Sequence, residues 1–364
     1  MRINRRHFTM GMTALGGAAA LPLGAGRLLA ADPLKIGYVY VGPVSDHGYT
    51  YQHDVGRLAV EAEFGDRVQT SFVENVPEGP DCERVVQQLA QSGHGLIFTT
   101  SFGFMNPTLK VAQRFPGVKF EHATGYKRAD NLATYSGRFY EGRTVAGTLA
   151  GKMTKSNVIG YIGSFPIPEV VNGINAFTLA MRKVNPEAQV RVVWVNSWYD
   201  PGKEADAAKA LIDQGADVIA QHTDSPAPIQ VAEERGVWAV GQSSDMSRFG
   251  PKAHLTAVVE VWDGYYIDRV RQVFDGTWQP VDTWEGLAKG MVVMAPFNSA
   301  IPEDARALGQ GVHDDIVAGT LHPFAGPFKN QAGEIVVPDG EAATDEQILS
   351  MNDSVEGVQG SLPK

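Results

Sequence analysis

Aromatic and acidic side chains follow several apolar runs of this sequence, at the points where those runs end. Trp198 and Tyr199 follow one run, and Asp224 and Asp245 follow two others. Aromatic rings can stack on a flat ligand, which contributes roughly 0.5–1.5 kcal/mol beyond the buried area, and carboxylates can orient its polar edges. These residue types predict a site for a flat, polar molecule, although either aspartate could equally cap the helix that follows it.

Two further loops carry side chains of the same kind. Residues 42–53, after the first apolar run, combine Ser, Asp, His and Tyr side chains with the start of a predicted helix, whose amides can also donate hydrogen bonds. Phe102 and Phe104 flank a glycine at the end of another run. We expect both loops to border the ligand. Two alternatives stay open: Asp46 as a helix cap, and packing of either phenylalanine beneath a helix.

The sequence lacks the motifs that common catalytic and cofactor sites require. The nucleophile elbow Gly-x-Ser-x-Gly, the phosphate loop Gly-x-x-x-x-Gly-Lys-Ser/Thr, the dinucleotide motif Gly-x-Gly-x-x-Gly and the zinc motif His-Glu-x-x-His are all absent. Cys82 is the only cysteine. His53 and Asp54 are adjacent, so on a helix they do not face one site. We therefore expect binding without catalysis, and neither a cofactor nor a metal ion.

Residues 1–31 are predicted to be a cleavable export signal. Arg5 and Arg6 precede an apolar run of Ala, Gly and Leu, and Leu-Ala-Ala at 29–31 precedes a polar start. The paired arginines resemble the twin-arginine type of signal. A membrane anchor is the alternative, but glycines interrupt the run, which falls short of the ~20 apolar residues of a spanning helix. No cysteine stands at the processing point to accept a lipid, so we expect a free periplasmic monomer.

Composition and charge exclude one class of partner. The chain has 364 residues, 43% hydrophobic and 20% charged, which is enough to build the cores of about two domains. Its net charge is −10, and the first 31 residues hold four arginines and no acid, so the rest of the chain is more acidic still. Nucleic-acid binding needs a basic face. We therefore expect no nucleic-acid partner.

The elements that position these loops alternate between strand and helix patterns. The first half of this alternation ends near Met153 and the second opens at Lys155. Such alternation predicts parallel sheets with helices on both faces, so the fold class is α/β with two doubly wound lobes. Ligands of such sheets bind beyond the carboxyl ends of the strands. The predicted strands are 35–41, 68–73, 96–100, 119–123, 133–136, 158–162, 190–195, 218–221, 238–240, 255–259 and 290–294.

Six segments, taken in their order and spacing along the chain, point to a protein family. They are 32–43, 46–53, Arg-Phe-Tyr-Glu-Gly-Arg at 138–143, Ser-Trp-Tyr-Asp-Pro-Gly-Lys-Glu at 197–204, Gly-Ala-Asp-Val-Ile at 215–219 and Ser-Ser-Asp at 243–245. Together they resemble the BMP family, the substrate-binding proteins of ABC importers that include the purine-nucleoside receptors. The resemblance extends from about residue 35 to residue 326.

This resemblance implies a type I periplasmic binding fold, in which two Rossmann-like lobes joined by hinge crossovers close over a nucleoside or nucleobase. It implies the following division of the chain: an export signal at 1–31, lobe one at 32–154 with a segment near 260–285, lobe two at 155–255 with a segment near 286–330, and a C-terminal extension at 331–364. Large apolar residues are scarce beyond Ile348, so we expect this extension to form a mobile end.

The resemblance also implies roles for individual residues. Asp46 matches a polar ligand contact, and Tyr49 and Trp198 match aromatic residues that stack on the base from opposite lobes. The chain departs from the family where Thr50 replaces an Asn, where Ser243 and Ser244 precede Asp245, and where Glu260 replaces a Lys. The glutamate adds an acceptor, which favours an amino-bearing base such as adenine. The predicted ligand-binding residues are Asp46, Tyr49, Thr50, Phe102, Phe104, Trp198, Asp224, Ser243, Asp245 and Glu260.

The sequence thus predicts a periplasmic substrate-binding protein that delivers a purine base or nucleoside, adenine or adenosine in particular, to an inner-membrane ABC permease. Two alternatives remain at this stage. One is a secreted hydrolase that acts on nucleosides, with Asp46 or Asp224 as its base. The other is a ligand sensor with the same fold.

Overall fold

Two large β-sheets flanked by helices, together with a small two-stranded sheet, form residues 32–363, the part of the chain that the computed structural model describes. The predicted export signal lies outside these residues. The strands are, in chain order, β1 (Leu34–Val39), β2 (Val68–Val73), β3 (Leu96–Thr100), β4 (Lys119–Ala123), β5 (Leu132–Gly137), β6 (Val158–Gly163), β7 (Gln189–Trp194), β8 (Val218–His222), β9 (Trp238–Ser243), β10 (His254–Glu260), β11 (Asp282–Glu285), β12 (Val292–Met294), β13 (Phe328–Lys329), β14 (Ile335–Val337) and β15 (Val358–Gln359). The helices are α1 (Gly48–Phe64), α2 (Pro80–Gln91), α3 (Met105–Arg114), α4 (Phe139–Met153), α5 (Pro168–Val184), α6 (Pro201–Asp213), α7 (Ala227–Arg235), α8 (Asp263–Asp275), α9 (Glu303–Val317) and α10 (Asp345–Leu349).

Residue patterns explain these elements locally. β3, β8 and β10 are buried along their whole length, as is typical of central strands in a sheet that is covered on both faces. α2 has Val85, Val86 and Leu89 on one face, and all three are buried in one apolar cluster. A proline in the first turn begins α2, α5 and α6. No helix within residues 32–363 is long and apolar enough to cross a membrane.

The two sheets define two lobes, which confirms the predicted α/β fold. The first sheet has the order β11-β5-β4-β3-β1-β2 and is parallel throughout. The second has the order β12-β10-β9-β8-β6-β7-β15. β12 departs from the predicted parallel arrangement because it runs antiparallel to β10, with Val259 opposite Val293. We call the first sheet with α1, α2, α3 and α8 lobe one, and the second sheet with its helices lobe two.

The chain passes between the lobes three times. β5 of lobe one leads into α4, which packs on α5 of lobe two; β10 of lobe two leads into α8, which packs on α1 of lobe one; and β11 leads into β12. The crossovers contact each other: the carboxylate of Glu141 accepts a hydrogen bond from the backbone amide of Leu287 at 2.7 Å, and Arg138 Nε donates to the carbonyl of Trp284 at 3.0 Å. Such short connections are the positions about which two lobes can rotate.

A buried polar cluster fixes α8 to the first sheet. Glu121 on β4 is completely buried, and its carboxylate accepts hydrogen bonds from Arg269 Nε at 2.5 Å, from the Tyr265 hydroxyl at 2.6 Å and from Trp278 Nε1 at 2.6 Å. A buried charge is tolerated only when it is paired and hydrogen-bonded in this way. The cluster therefore ties a helix that arrives from lobe two to the core of lobe one.

The C-terminal segment, for which the sequence predicts a mobile end, is packed onto lobe two. Ile348 and Val355 are buried, and β15 pairs with the edge of β7. Asn175 of α5 donates a side-chain hydrogen bond to the carbonyl of Asp353 at 2.8 Å and accepts one from the amide of Val355 at 3.0 Å. The segment is held by asparagine hydrogen bonds and a few apolar contacts, which is why a search for apolar runs does not detect it.

Candidate ligand-binding site

A cavity lies between the lobes, at the carboxyl ends of strands from both sheets. Lobe one contributes Val41, Tyr49, Ser101, Phe102 and Thr124; lobe two contributes Glu169, Trp198, His222, Thr223, Asp224, Gln242, Ser243 and Glu260. This is the position where open α/β sheets bind their ligands.

Aromatic rings from opposite lobes border this cavity. Tyr49 lies in the first turn of α1 and meets the ring of His53 edge-on, with ring centroids 4.4 Å apart. His53 in turn stacks on Trp262 at 4.9 Å, so Tyr49 rests on an ordered set of rings. On the other side, Trp198 packs against Phe165 with centroids 5.0 Å apart. Each ring therefore packs against another ring of its own lobe.

Glu78, which the sequence analysis did not single out, links the two walls. It lies in the loop between β2 and α2, and its Oε1 accepts hydrogen bonds from Ser101 Oγ at 2.5 Å and from the amide of Gly103 at 3.1 Å. The same oxygen accepts a hydrogen bond from the indole Nε1 of Trp198 at 3.2 Å. The Trp198 ring is thus oriented by a carboxylate of lobe one.

The N-terminus of α1 is capped by lobe two. His47, the residue before the helix, provides no side-chain cap. Instead, Asp224 Oδ1 accepts a hydrogen bond from the amide of Tyr49 at 3.1 Å, and Ser244 Oγ accepts one from the amide of Gly48 at 2.8 Å. The first amides of a helix lack partners within the helix and carry partial positive charge. Contact between the lobes therefore satisfies two donors that lobe one leaves open.

Two carboxyl groups meet at Ser243, that of Glu260, which is buried, and that of Asp224, which is partly buried. Its hydroxyl lies 3.1 Å from Glu260 Oε1 and 3.4 Å from Asp224 Oδ1. Burial raises the pKa of Asp224 to about 7 and, with Asp224 and Glu169 nearby, raises the pKa of Glu260 well above its usual range. Ser243 has φ 62°, a left-handed conformation that is uncommon for residues other than glycine and is often found at functional sites.

Several buried polar atoms at the cavity have no partner. Within residues 32–363, His222 Nδ1, Thr223 Oγ1 and Glu260 Oε2 make no hydrogen bond. Behind the cavity, fully buried Arg143 donates to the Gln242 side chain and to the carbonyl of Gln221 at 2.8 Å. Within the same residues, no group of three His, Cys, Asp or Glu side chains is arranged to hold a metal ion. Buried polar groups are normally hydrogen-bonded, so these atoms indicate a polar ligand.

The structure brings six of the ten predicted site residues to the cavity: Tyr49, Phe102, Trp198, Asp224, Ser243 and Glu260. Thr50 is buried behind them, in a separate small pocket beside Gly42. Seven further lining residues were not among the predicted ones, although six of them lie at or just beyond the carboxyl end of a strand and therefore obey the strand-end rule. Only Glu169, in the first turn of α5, does not. The seven are Val41, Ser101, Thr124, Glu169, His222, Thr223 and Gln242.

Three predicted residues lie away from the cavity. Asp46 is exposed, and its carboxylate binds Arg248 Nη2 at 2.6 Å and His47 Nδ1 at 2.8 Å, which lowers its pKa to about 2. Phe104 is fully buried among the apolar residues of α2 and α3, as the packing alternative describes. Asp245 is exposed and accepts a hydrogen bond from the amide of Ser247 at 2.9 Å, so it caps a short turn.

Comparison with known proteins relates this site to a family. A family model, described as ABC transporter substrate-binding protein PnrA-like (Bmp), matches residues 34–310. A purine-binding protein of Brucella abortus (strain 2308) is 54% identical over 350 residues, which are 96% of this chain and 97% of that protein. A protein of Haloferax volcanii, provisionally described as an ABC transporter glucose-binding protein, is 36% identical over 91% of this chain and 82% of its own length.

Solved structures share the fold. An ABC transporter solute-binding protein from Aeropyrum pernix K1 has a TM-score of 0.70 at 19% identity, over 81% of this chain and 94% of that one. A second solute-binding protein, from Conexibacter woesei, has a TM-score of 0.65 at 20% identity, over 79% of this chain and 98% of that one.

Proposed function

Because this chain belongs to the Bmp family of PnrA-like ABC transporter substrate-binding proteins, we propose that it binds a purine base or nucleoside in the interlobe cavity and delivers it to an inner-membrane permease. The relative from Brucella abortus, which is described as purine-binding, supports this choice of ligand. The predicted export signal agrees with a role in the periplasm, as a monomer that is not attached to lipid.

One observation carries the proposal: a cavity bordered by rings from opposite lobes contains buried polar atoms that make no hydrogen bond. Tyr49 and Trp198 offer two aromatic faces, and His222 Nδ1, Thr223 Oγ1 and Glu260 Oε2 have no partner within the described residues. A purine has two flat faces for stacking, and adenine also has an amino group and a ring N–H as donors. Adenine or adenosine is therefore the favoured ligand.

The interlobe contacts suggest how binding is coupled to closure. The bonds from Tyr49 to Asp224 and from Trp198 to Glu78 can form only when the lobes meet. A base between the two rings gains its second stacking partner in the same step. The ligand therefore stabilises the closed state by its preference for that state. Such a cycle of capture and release needs no catalytic residue, and we propose that the protein is not an enzyme.

Isothermal titration calorimetry on protein freed of copurifying ligand by unfolding and refolding tests the proposal. We expect one mole of adenine or adenosine to bind per mole of protein, with chromatography recovering the ligand unchanged. Binding of glucose without binding of any purine would overturn the ligand assignment. Release of free base from adenosine over many turnovers would instead support the hydrolase alternative.

A matched pair of variants locates the site. Glu260→Ala removes the buried carboxyl group, and we expect it to weaken adenine binding by about 1–3 kcal/mol. Asp245→Asn changes an exposed carboxylate outside the cavity and should leave the affinity unchanged. Uptake of the bound purine by vesicles that contain the permease then distinguishes delivery from sensing, because a sensor binds the ligand but supports no uptake.

A further inference from the structure

A second, larger space lies beside the cavity. It shares three lining residues, Phe102, Thr124 and Glu169, with the cavity. We call it the side groove. Its remaining walls come from both lobes, the first crossover and the C-terminal segment: Gly125, Tyr126, Ser136, Gly137, Phe139, Tyr140, Pro168, Asn172, Asp282, Trp284, Glu346, Leu349 and Ser350.

The side groove presents apolar surface that the protein leaves uncovered. Tyr126 is 66% exposed and Leu349 is 49% exposed. The ring of Phe102, which borders both spaces, lies 6.5 Å from the ring of Tyr126. Exposed apolar residues that line a concave surface together are typical of binding sites. A group that leaves the cavity past Phe102 therefore reaches apolar surface rather than bulk water.

The charge of the side groove limits what it can hold. Glu169, Asp282 and Glu346 line it, and none of its lining residues is a lysine or an arginine. Asp282 is paired with Arg128, which lies outside the groove. The arginines beside the groove, Arg128 and Arg138, are already paired with Asp282 and Asp345, so an anionic group such as a phosphate would meet the carboxylates of Glu169 and Glu346 without a free cation. A neutral, apolar or aromatic group suits the site.

Part of the groove is formed by residues outside the family model, which ends at residue 310. Glu346, Leu349 and Ser350 belong to α10 and the residue that follows it. α10 is fixed to the hinge by an ion pair between Arg138 and Asp345. The C-terminal segment therefore supplies a wall that the part of the chain matched by the family model does not contain.

We propose that the side groove is a second subsite, which holds a neutral apolar or aromatic arm on a purine whose ring occupies the cavity. The inference rests on the proposed function, because it needs a purine in the cavity. The three shared residues form the neck through which the arm passes. The protein then accepts purines that carry a bulky neutral substituent and discriminates against nucleotides.

Calorimetry with four probes tests the subsite. N6-benzyladenine and 9-benzyladenine carry the same arm at two positions of the ring, and adenosine and AMP differ only by a phosphate. We expect at least one benzyl purine to bind within about tenfold of adenine, since about 1.4 kcal/mol corresponds to tenfold. We also expect AMP to bind more weakly than adenosine.

Matched variants assign the arm to the groove. Leu349→Ala should weaken the binding of the benzyl purine by roughly threefold to tenfold, as expected for loss of a partly exposed apolar contact. The affinity for adenine should stay unchanged. Leu58→Ala is the control, because Leu58 is also 49% exposed but lies on α1, outside the groove. Equal effects of the two substitutions, or rejection of both benzyl purines by a protein that binds adenine, would overturn the subsite. Failure to bind adenine as well would overturn the proposed function itself.

Discussion

The backbone amide of Tyr49 in lobe one donates a hydrogen bond to Asp224 of lobe two over 3.1 Å. The same carboxylate lies within reach of Ser243, and Asp224 and Tyr49 both border the cavity. Asp224 therefore caps a helix of one lobe from the other while its side chain lies at the candidate site. Closure of the lobes and occupation of the cavity act on the same carboxyl group.

The ionisation of Asp224 should contribute to the pH dependence of folding stability. Burial raises the pKa of Asp224 in the folded protein from 3.8 to about 7. Between these values the unfolded chain releases the proton and the folded protein retains it, so the stability that this carboxyl group contributes falls as pH rises from about 4 to about 7 and then levels off. Buried histidines such as His122 and His254, whose pKa values burial lowers to about 3 and about 4, act in the opposite direction in the unmodified protein and in the variant alike. We therefore expect the unfolding temperature of ligand-free Asp224→Asn to rise more, or fall less, from about pH 4 to about pH 7 than that of the unmodified protein.

Differential scanning fluorimetry in buffers of constant ionic strength measures this difference. Asp245→Asn, at the exposed end of the next loop, is the control and should keep the slope of the unmodified protein. Glu260 remains in Asp224→Asn and retains part of the dependence. An unchanged slope in Asp224→Asn would show that this carboxyl does not titrate in the range.

The ring of Trp198 and its indole N–H should make separate contributions to the affinity for adenine. Trp198→Ala removes the stacking surface, and we expect adenine to bind about 1–3 kcal/mol more weakly, as is usual for loss of one base–aromatic stack. Trp198→Phe keeps a ring but loses the donor to Glu78, so a smaller loss of about 1 kcal/mol is expected. Calorimetry on both variants measures the difference, and equal losses would argue against stacking.

The Asp46–Arg248 pair should affect closure rather than ligand contact. Both side chains are exposed and join the lobes at 2.6 Å, and ion pairs of this kind are weak and screened by salt. We expect Arg248→Ala to cause a small loss of adenine affinity at low salt, through faster release, and none at high salt. Stopped-flow fluorescence at two salt concentrations measures it. A large, salt-independent loss would instead place Asp46 in contact with the ligand.

Removing the carboxylate of Glu121 from its buried polar cluster should have a large effect on folding stability. Glu121→Ala leaves Arg269 buried without its partner, and we expect the free energy of unfolding to fall by about 3–5 kcal/mol. Urea denaturation measures the change. Replacing both residues, Glu121→Leu with Arg269→Met, should recover part of the loss, because no charge then remains buried alone. A double variant no more stable than the single one would contradict this explanation.

Much of the fold can be predicted from the sequence because buried parallel strands are continuous apolar runs between turn residues. β2, β3 and β4 occur at their predicted bounds. The patterns fail where burial is slight. β11 has no fully buried residue. It is not among the predicted strands, although it lies at a crossover that the type I fold requires.

The site is harder to predict from the sequence because it depends on contacts between residues that are far apart in the chain. The hydrogen bond by which Asp224 caps α1 joins residues 175 positions apart. The sequence around either residue gives no sign of this contact. Phe102 and Phe104 lie in one short 3-10 turn. Residues two apart in such a turn point in different directions, so one ring borders the cavity and the other enters the core. Their common setting in the sequence does not tell them apart.

The position of β15 has a consequence for biosynthesis. Its partner β7 is translated more than 150 residues earlier, so that edge of the second sheet stays uncovered until the ribosome has nearly finished. An uncovered strand edge invites pairing between chains. The backbone groups of Val190 and Arg191 therefore gain their partners on this edge only when translation is nearly complete, and a chain that ends near residue 355 would leave them open to pairing with another chain.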